Sequence, residues 1–234
     1  VRDSWNERDD SRFASEYGLR LDDPVMLLQQ LLAYETREQL EAEYGNDIYP
    51  LHMEVLLQYF MAGHDRRFEL SASLEHLVSL GIPPMNAEGS TAGYIFSGQS
   101  WEPALELTQS LAAQYTAAGI IEVNKALPGS LSERHLRDLD PIEQQMSSGH
   151  TPLVGTIICH NPVAARWFLE NGASVNVGAT HAGGPDDDAL SIAHALGASE
   201  VAAVISEHVM TQTLQSYRQT AVSKVSRMHR RTPL

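Results

Sequence analysis

Ten histidines and thirty acidic side chains in 234 residues supply the raw material for acid–base or metal chemistry, so their spacing decides what they can do. His52, His64 and His76 follow one another at intervals of twelve, which lacks the i, i+4 geometry that sets two imidazoles on one helix face around a metal. Cys159 and His160 are adjacent and point to different sides of a helix end. A thiolate nucleophile would therefore need a base brought in from elsewhere. A buried packing role is the expectation for Cys159. Asp186, Asp187 and Asp188 follow Gly183-Gly184-Pro185, without the alternate-position ligands and closing glutamate of a calcium loop. Their simpler use is to cap a helix that starts at Ala189. His135, Asp138 and Asp140 form the closest group of acid–base candidates. No glycine-rich phosphate loop, metalloprotease helix or nucleophile elbow occurs, and no catalytic residue, metal or cofactor is expected.

The elements that carry these residues read as helices with clear punctuation. Over Gly149–Asn176, Thr151-Pro152-Leu153 opens a helix, since proline at the first helical position wastes no N–H and Thr151 can cap. The apolar residues Leu153, Val154, Ile157 and Ile158 meet a break at His160-Asn161-Pro162. A second amphipathic run, Val163 to Leu169, closes at Gly172, and Trp167 within it belongs to the core. A glycine there can take the left-handed conformation that completes the helix end. The same logic recurs at Tyr49-Pro50-Leu51-His52, with a turn at Gly63-His64, a second helix over Leu70–Leu80 and an exit at Gly81. It recurs more loosely at Thr91-Ala92-Gly93, with a helix from Pro103 to Ala118 and an exit at Gly119. A last unit has Ala189–Ala195, a turn at Gly197 and Glu200–His208.

These residues resemble ankyrin repeats, whose opening Thr-Pro-Leu-His is matched by Thr151-Pro152-Leu153 and, with tyrosine for threonine, by Tyr49-Pro50-Leu51-His52. The resemblance implies an all-α fold, an ankyrin-like helical repeat solenoid with capping helices and one partly helical insertion. It also implies that His52 bonds neighbouring loop backbone and that loop tips and first-helix faces bind other proteins. The expected organisation is a polar segment over 1–22, capping helices over 23–48, the array over 49–210, and a helix with a basic tail over 211–234. The insertion, 126–148, has a capping box in Ser130 and Glu133. Leu214, Tyr217, Ala221 and Val225 place a last helix that reaches about residue 228 and closes the core.

Net charge is −14, and it is uneven, for 211–234 hold five basic residues and no acid, leaving −19 on the remainder. Such a surface repels nucleic acid and attracts a basic protein. No apolar run is long enough to span a bilayer. The single cysteine suits a reducing compartment, and the charged start VRDSWNERDDSRF lacks a secretory segment. A cytoplasmic location is therefore expected, with a leader removed before Val1 left open. If the register is right, Asn46, Asp47, Tyr49, Glu88, Ser97, Trp101, Gln145, His150, Asp186 and Asp187 lie near successive loop tips. They would form an acidic edge with Tyr49 and Trp101 as its aromatic anchors. The expected function is a non-catalytic protein-binding module that neutralises a dedicated basic partner, as a bacterial toxin-neutralising immunity protein does. A secreted effector or adaptor scaffold fits as well, and an enzyme using the insertion is the reading from another class. The basic tail could also dock on the acidic array of a second copy.

Overall fold

The computed structural model describes residues 31–84, 90–125, 150–176 and 188–229, and among these it is all-helical. The helices are α1 (Arg37–Tyr44), α2 (Ile48–Met61), α3 (His64–Ser79), α4 (Ser90–Gly98), α5 (Leu105–Ala117), α6 (Pro152–Ile158), α7 (Pro162–Glu170), α8 (Ala189–Ala195) and α9 (Ser199–His229). A single antiparallel bridge joins Asn176 to Asp188. The chain forms two compact units. One comprises Val1–Gly89 and Pro103–Ala118, the other Ser90–Glu102 and Gly119–Leu234. The segments expected at 1–22 and 126–148 lie outside the described residues.

The first unit holds α1, α2, α3 and α5, with α2 against α3 and α3 against α5. Thr36 and Gln39 start α1 with a capping box: Thr36 Oγ1 accepts from Gln39 N and Gln39 Oε1 from Thr36 N. Gly45–Asp47 then makes a turn as one 3-10 step. Leu51, Val55, Leu56, Leu70, Leu74, Leu77 and Leu111 build the core. The helix expected over Leu70–Leu80 starts earlier, at His64. Its first turn carries Asp65, favourable at a helix N-terminus, and Arg67, which is buried and donates from Nη2 to Phe60 O (2.8 Å) and from Nε to Ala62 O (3.2 Å). A cation over the last carbonyls of α2 fixes the tight α2–α3 corner.

The second unit is built on α6. All its residues from Pro152 to Ile157 are buried, so this short helix is apolar around its circumference and packs against α4, α7, α8 and α9. Its contact with α4 is close because glycines face it. A Cβ on Gly155 would run into Ser97 Oγ and meet Tyr94 Cδ2 at 3.3 Å, and one on Gly93 would meet Pro152 Cγ at 2.8 Å. Around this centre run the rings of Phe96, Trp101, Trp167 and Phe168, with successive centroids 6.2, 5.7 and 5.2 Å apart. Aromatic pairs of this kind add roughly 0.5–1.5 kcal/mol each beyond their buried area.

The expected helix exits at Gly81, Gly119, Gly172 and Gly197 all have positive φ. At Gly172 the reason is visible in the bonds: Gly172 N donates to Leu169 O and Ala173 N to Phe168 O, the two bonds of a Schellman ending, which needs a left-handed residue. Gly81 and Gly197 repeat it. The break after α6 has the same pair of bonds, but His160 (φ 52) stands where the others have glycine. Thr151 precedes α6 as expected, yet its hydroxyl makes no capping bond and is buried without a hydrogen-bond partner.

The C-terminal elements differ from expectation in two respects. Glu200–His208 and the last helix are one continuous α9, because no glycine or proline interrupts 199–229 and Thr211 and Thr213 return their hydroxyls to carbonyls four residues back instead of capping a new helix. Val201, Ala202, Val204 and Ile205 are buried, whereas Leu214 and Tyr217 are 52% and 70% exposed and do not close the core.

Candidate interaction surface

The residues expected to project fall into three groups. Tyr49, Ser97 and Trp101 do not project: each is buried. Tyr49 lies in the first turn of α2, where its hydroxyl accepts from Arg37 Nη2 (2.9 Å) and donates to Glu41 Oε1 (3.3 Å). Arg37 also binds Glu41 through Nε (2.7 Å) and Gly81 O through Nη1 (3.2 Å), so the tyrosine belongs to a cluster that ties α1 to the ends of α2 and α3. Trp101 is 1% exposed and donates from Nε1 to Phe96 O (2.8 Å). Removing such a ring costs roughly 3–5 kcal/mol of stability, so a Trp101→Ala variant would report unfolding in a binding assay. Ser97 donates to Tyr94 O, and its own carbonyl accepts from Asn161 Nδ2.

Asn46 is exposed and His150 is half-buried against the Tyr94 ring, 4.9 Å between centroids. Glu88, Gln145, Asp186 and Asp187 lie outside the described residues, as does the His135, Asp138 and Asp140 cluster. Asp47 is described in its backbone alone. The third acid of the aspartate run, Asp188, caps α8 by accepting from Ser191 N (2.7 Å).

What remains exposed around Asn46 is acidic. The helix α1 buries Leu40 alone; Glu38 and Glu43 are exposed along it, and Glu35 is exposed just before its N-cap. Backbone N–H at the start of α1 and the Thr36 hydroxyl hold the Glu38 carboxyl below its ordinary range, and Arg37 adds to the effect. The one arginine of α1, Arg37, is half-exposed and engaged with Glu41 and Tyr49.

The buried polar groups of the first unit serve the fold. His52 Nδ1 lies 2.8 Å from Ile82 O, and a carbonyl can only accept, so Nδ1 carries the proton. Nε2 is then bare and accepts from the Tyr115 hydroxyl. Burial lowers the His52 pKa to about 3 against a smaller opposing effect of Ile82 O, and burial raises that of Tyr115 well above its ordinary value. The imidazole is neutral and has both nitrogens engaged, which leaves it no free site for a metal or a proton relay. Tyr59 Oη and Thr108 Oγ1 make a second buried bond (2.8 Å), with the Arg67 guanidinium 5.3 Å from the Tyr59 ring. Nothing in the residue order marked Arg67 or Thr108; each is set by a turn or a helix face that forms only on packing.

Cys159 differs from the buried residue expected. It is exposed as a residue at the end of α6, while its sulfur faces Gly98, 3.3 Å from where a Cβ would stand there, and burial of the thiol raises its pKa. A thiol so placed is a poor nucleophile. Among the described residues no group of three or more histidine, cysteine and acidic side chains is placed to hold a metal ion, and no helix is long and apolar enough to cross a membrane. Comparison of the chain with protein-family models, curated proteins and solved structures gave no match.

Proposed function

We propose that this chain is a non-catalytic protein-binding module, built as a degenerate ankyrin-like array, that binds and neutralises a dedicated basic partner such as a bacterial toxin. The observation that carries the reading is the exposed carboxylate set beside Asn46: Glu38 and Glu43 on a helix that buries only Leu40, and Glu35 just before its N-cap. With −19 on residues outside the basic tail, such an edge attracts and orients a cationic protein, raising its association rate more than its intrinsic affinity. The array reading is supported by helix pairs that end in left-handed glycines and by His52, whose imidazole holds the Ile82 carbonyl in the following loop.

The test is capture from native lysate by the whole chain and by a Glu35→Lys, Glu43→Lys variant, both exposed positions outside the core. The reading expects one basic protein in stoichiometric amount on the wild type, with at least a tenfold loss on the variant and a steep salt dependence. Equal recovery on both chains, or no stoichiometric protein at low salt, overturns it.

A further inference from the structure

The distal part of α9 carries an apolar stripe with nothing of its own unit upon it. Every residue from 209 to 220 is exposed, including Val209, Met210, Leu214 and Tyr217. Met210, Leu214 and Tyr217 are spaced by four and then three, and the sequence continues the series with Ala221 after four more. That alternation is the seam of a coiled coil. The apolar series from Met210 to Ala221 spans about 16 Å of helix at 1.5 Å per residue, and the next position in the register is Lys224.

The segment has little reason to be helical alone. Thr211, Thr213 and Thr220 are poor helix formers, and each returns its hydroxyl to the carbonyl four residues back, at 2.8, 2.8 and 2.9 Å. A helix of such composition draws its stability from packing along an apolar face. Its charge says what packs there. Glu200 and Glu207 lie in the first third of α9, whereas Arg218, Lys224 and Arg227 lie beyond and no acid follows residue 207. A parallel pair would set the basic ends side by side. An antiparallel pair sets each basic end against the acidic start of the other and opposes the helix dipoles.

We infer that α9 is a self-association element through which two copies of this chain pair antiparallel along the Met210, Leu214 and Tyr217 stripe. Leu214 of one copy lies opposite Tyr217 of the other, and Met210 opposite Ala221. An anionic membrane is the less suitable occupant, because the five cations of 211–234 are outweighed by the −19 on the rest of the chain, which anionic lipid repels.

Sedimentation of the full chain over a wide concentration range tests the pairing. The expected result is a mass twice the 25.8 kDa of one chain, returning to monomer in the Leu214→Glu, Tyr217→Glu variant, which still unfolds cooperatively because both positions lie outside the core, but with a midpoint that no longer depends on concentration. Orientation is read by disulfide trapping in a Cys159→Ala background. Met210→Cys alone fails to cross-link, because antiparallel copies hold the two sites about 16 Å apart along the axis, beyond disulfide reach. Mixed Met210→Cys and Ala221→Cys chains do cross-link. A monomer at all concentrations, a dimer that persists in the double variant, or cross-linking of Met210→Cys to itself overturns the inference. So does a chain that is monomeric in solution and sediments with phosphatidylserine-containing vesicles, which assigns the stripe to a membrane surface instead.

Discussion

At the scale of single residues, His52 shows how a side chain that suggests chemistry becomes part of the packing. Folding takes it from an ordinary imidazole to one with a pKa of about 3, chiefly through burial. Between that value and about 6.5 the unfolded chain binds the extra proton, so stability attributable to this group is complete above pH 6.5 and declines as pH falls. Urea unfolding is expected to give a stability about 2 kcal/mol lower at pH 5 than at pH 7.5 from this group alone. A His52→Gln variant should flatten that part of the profile, and an unchanged slope would deny the imidazole its neutral buried state. Tyr115→Phe, which removes the hydroxyl serving Nε2, should cost about 1–3 kcal/mol at pH 7.5. That His52 meets a loop carbonyl agrees with what was expected of the fourth residue of Tyr49-Pro50-Leu51-His52. That Tyr49 and Trp101 turn inward was not, because a ring's exposure depends on partners remote in sequence: Arg37 and Glu41 for one, Phe96 and Trp167 for the other.

At the scale of elements, stop signals were legible wherever they are local. The glycines 81, 119, 172 and 197 end or turn helices where expected, since only the residue itself decides whether a left-handed step is cheap. Starts and continuations were harder. The first turn of α3 depends on Arg67 reaching back to α2, and α9 runs on because nothing in 209–213 breaks it. Close helix contact was also hidden: Gly93 and Gly155 read as weak helix formers, and their use emerges only when α4 lies against α6. Gly155→Leu is expected to cost 3 kcal/mol or more, at the upper end of overpacking effects, because the added atoms strike Ser97 and Tyr94. Gly155→Ala should cost about 1–3 kcal/mol. Thermal unfolding of both variants checks the order, and a tolerated leucine would mean that α4 and α6 can part without loss.

At the scale of the whole molecule, the two units are not successive lengths of chain. The path leaves the first unit after Gly89, passes through α4, returns for α5, and leaves again after Ala118. The partners of His52 and Tyr59, Tyr115 and Thr108, ride on that returning helix. A fragment ending at residue 89 should therefore fail to fold, judged by far-ultraviolet circular dichroism, whereas a fragment 31–89 with cooperative unfolding of its own would contradict the assignment of α5 to that unit. The interleaving also bears on how such a chain can change over generations. Arrays of repeats commonly lengthen or shorten by gaining or losing a whole helix pair, which leaves the neighbours intact. Excising or duplicating 90–118 would instead take a helix from each unit at once, so this stretch is closed to module shuffling, and variation in length must fall elsewhere.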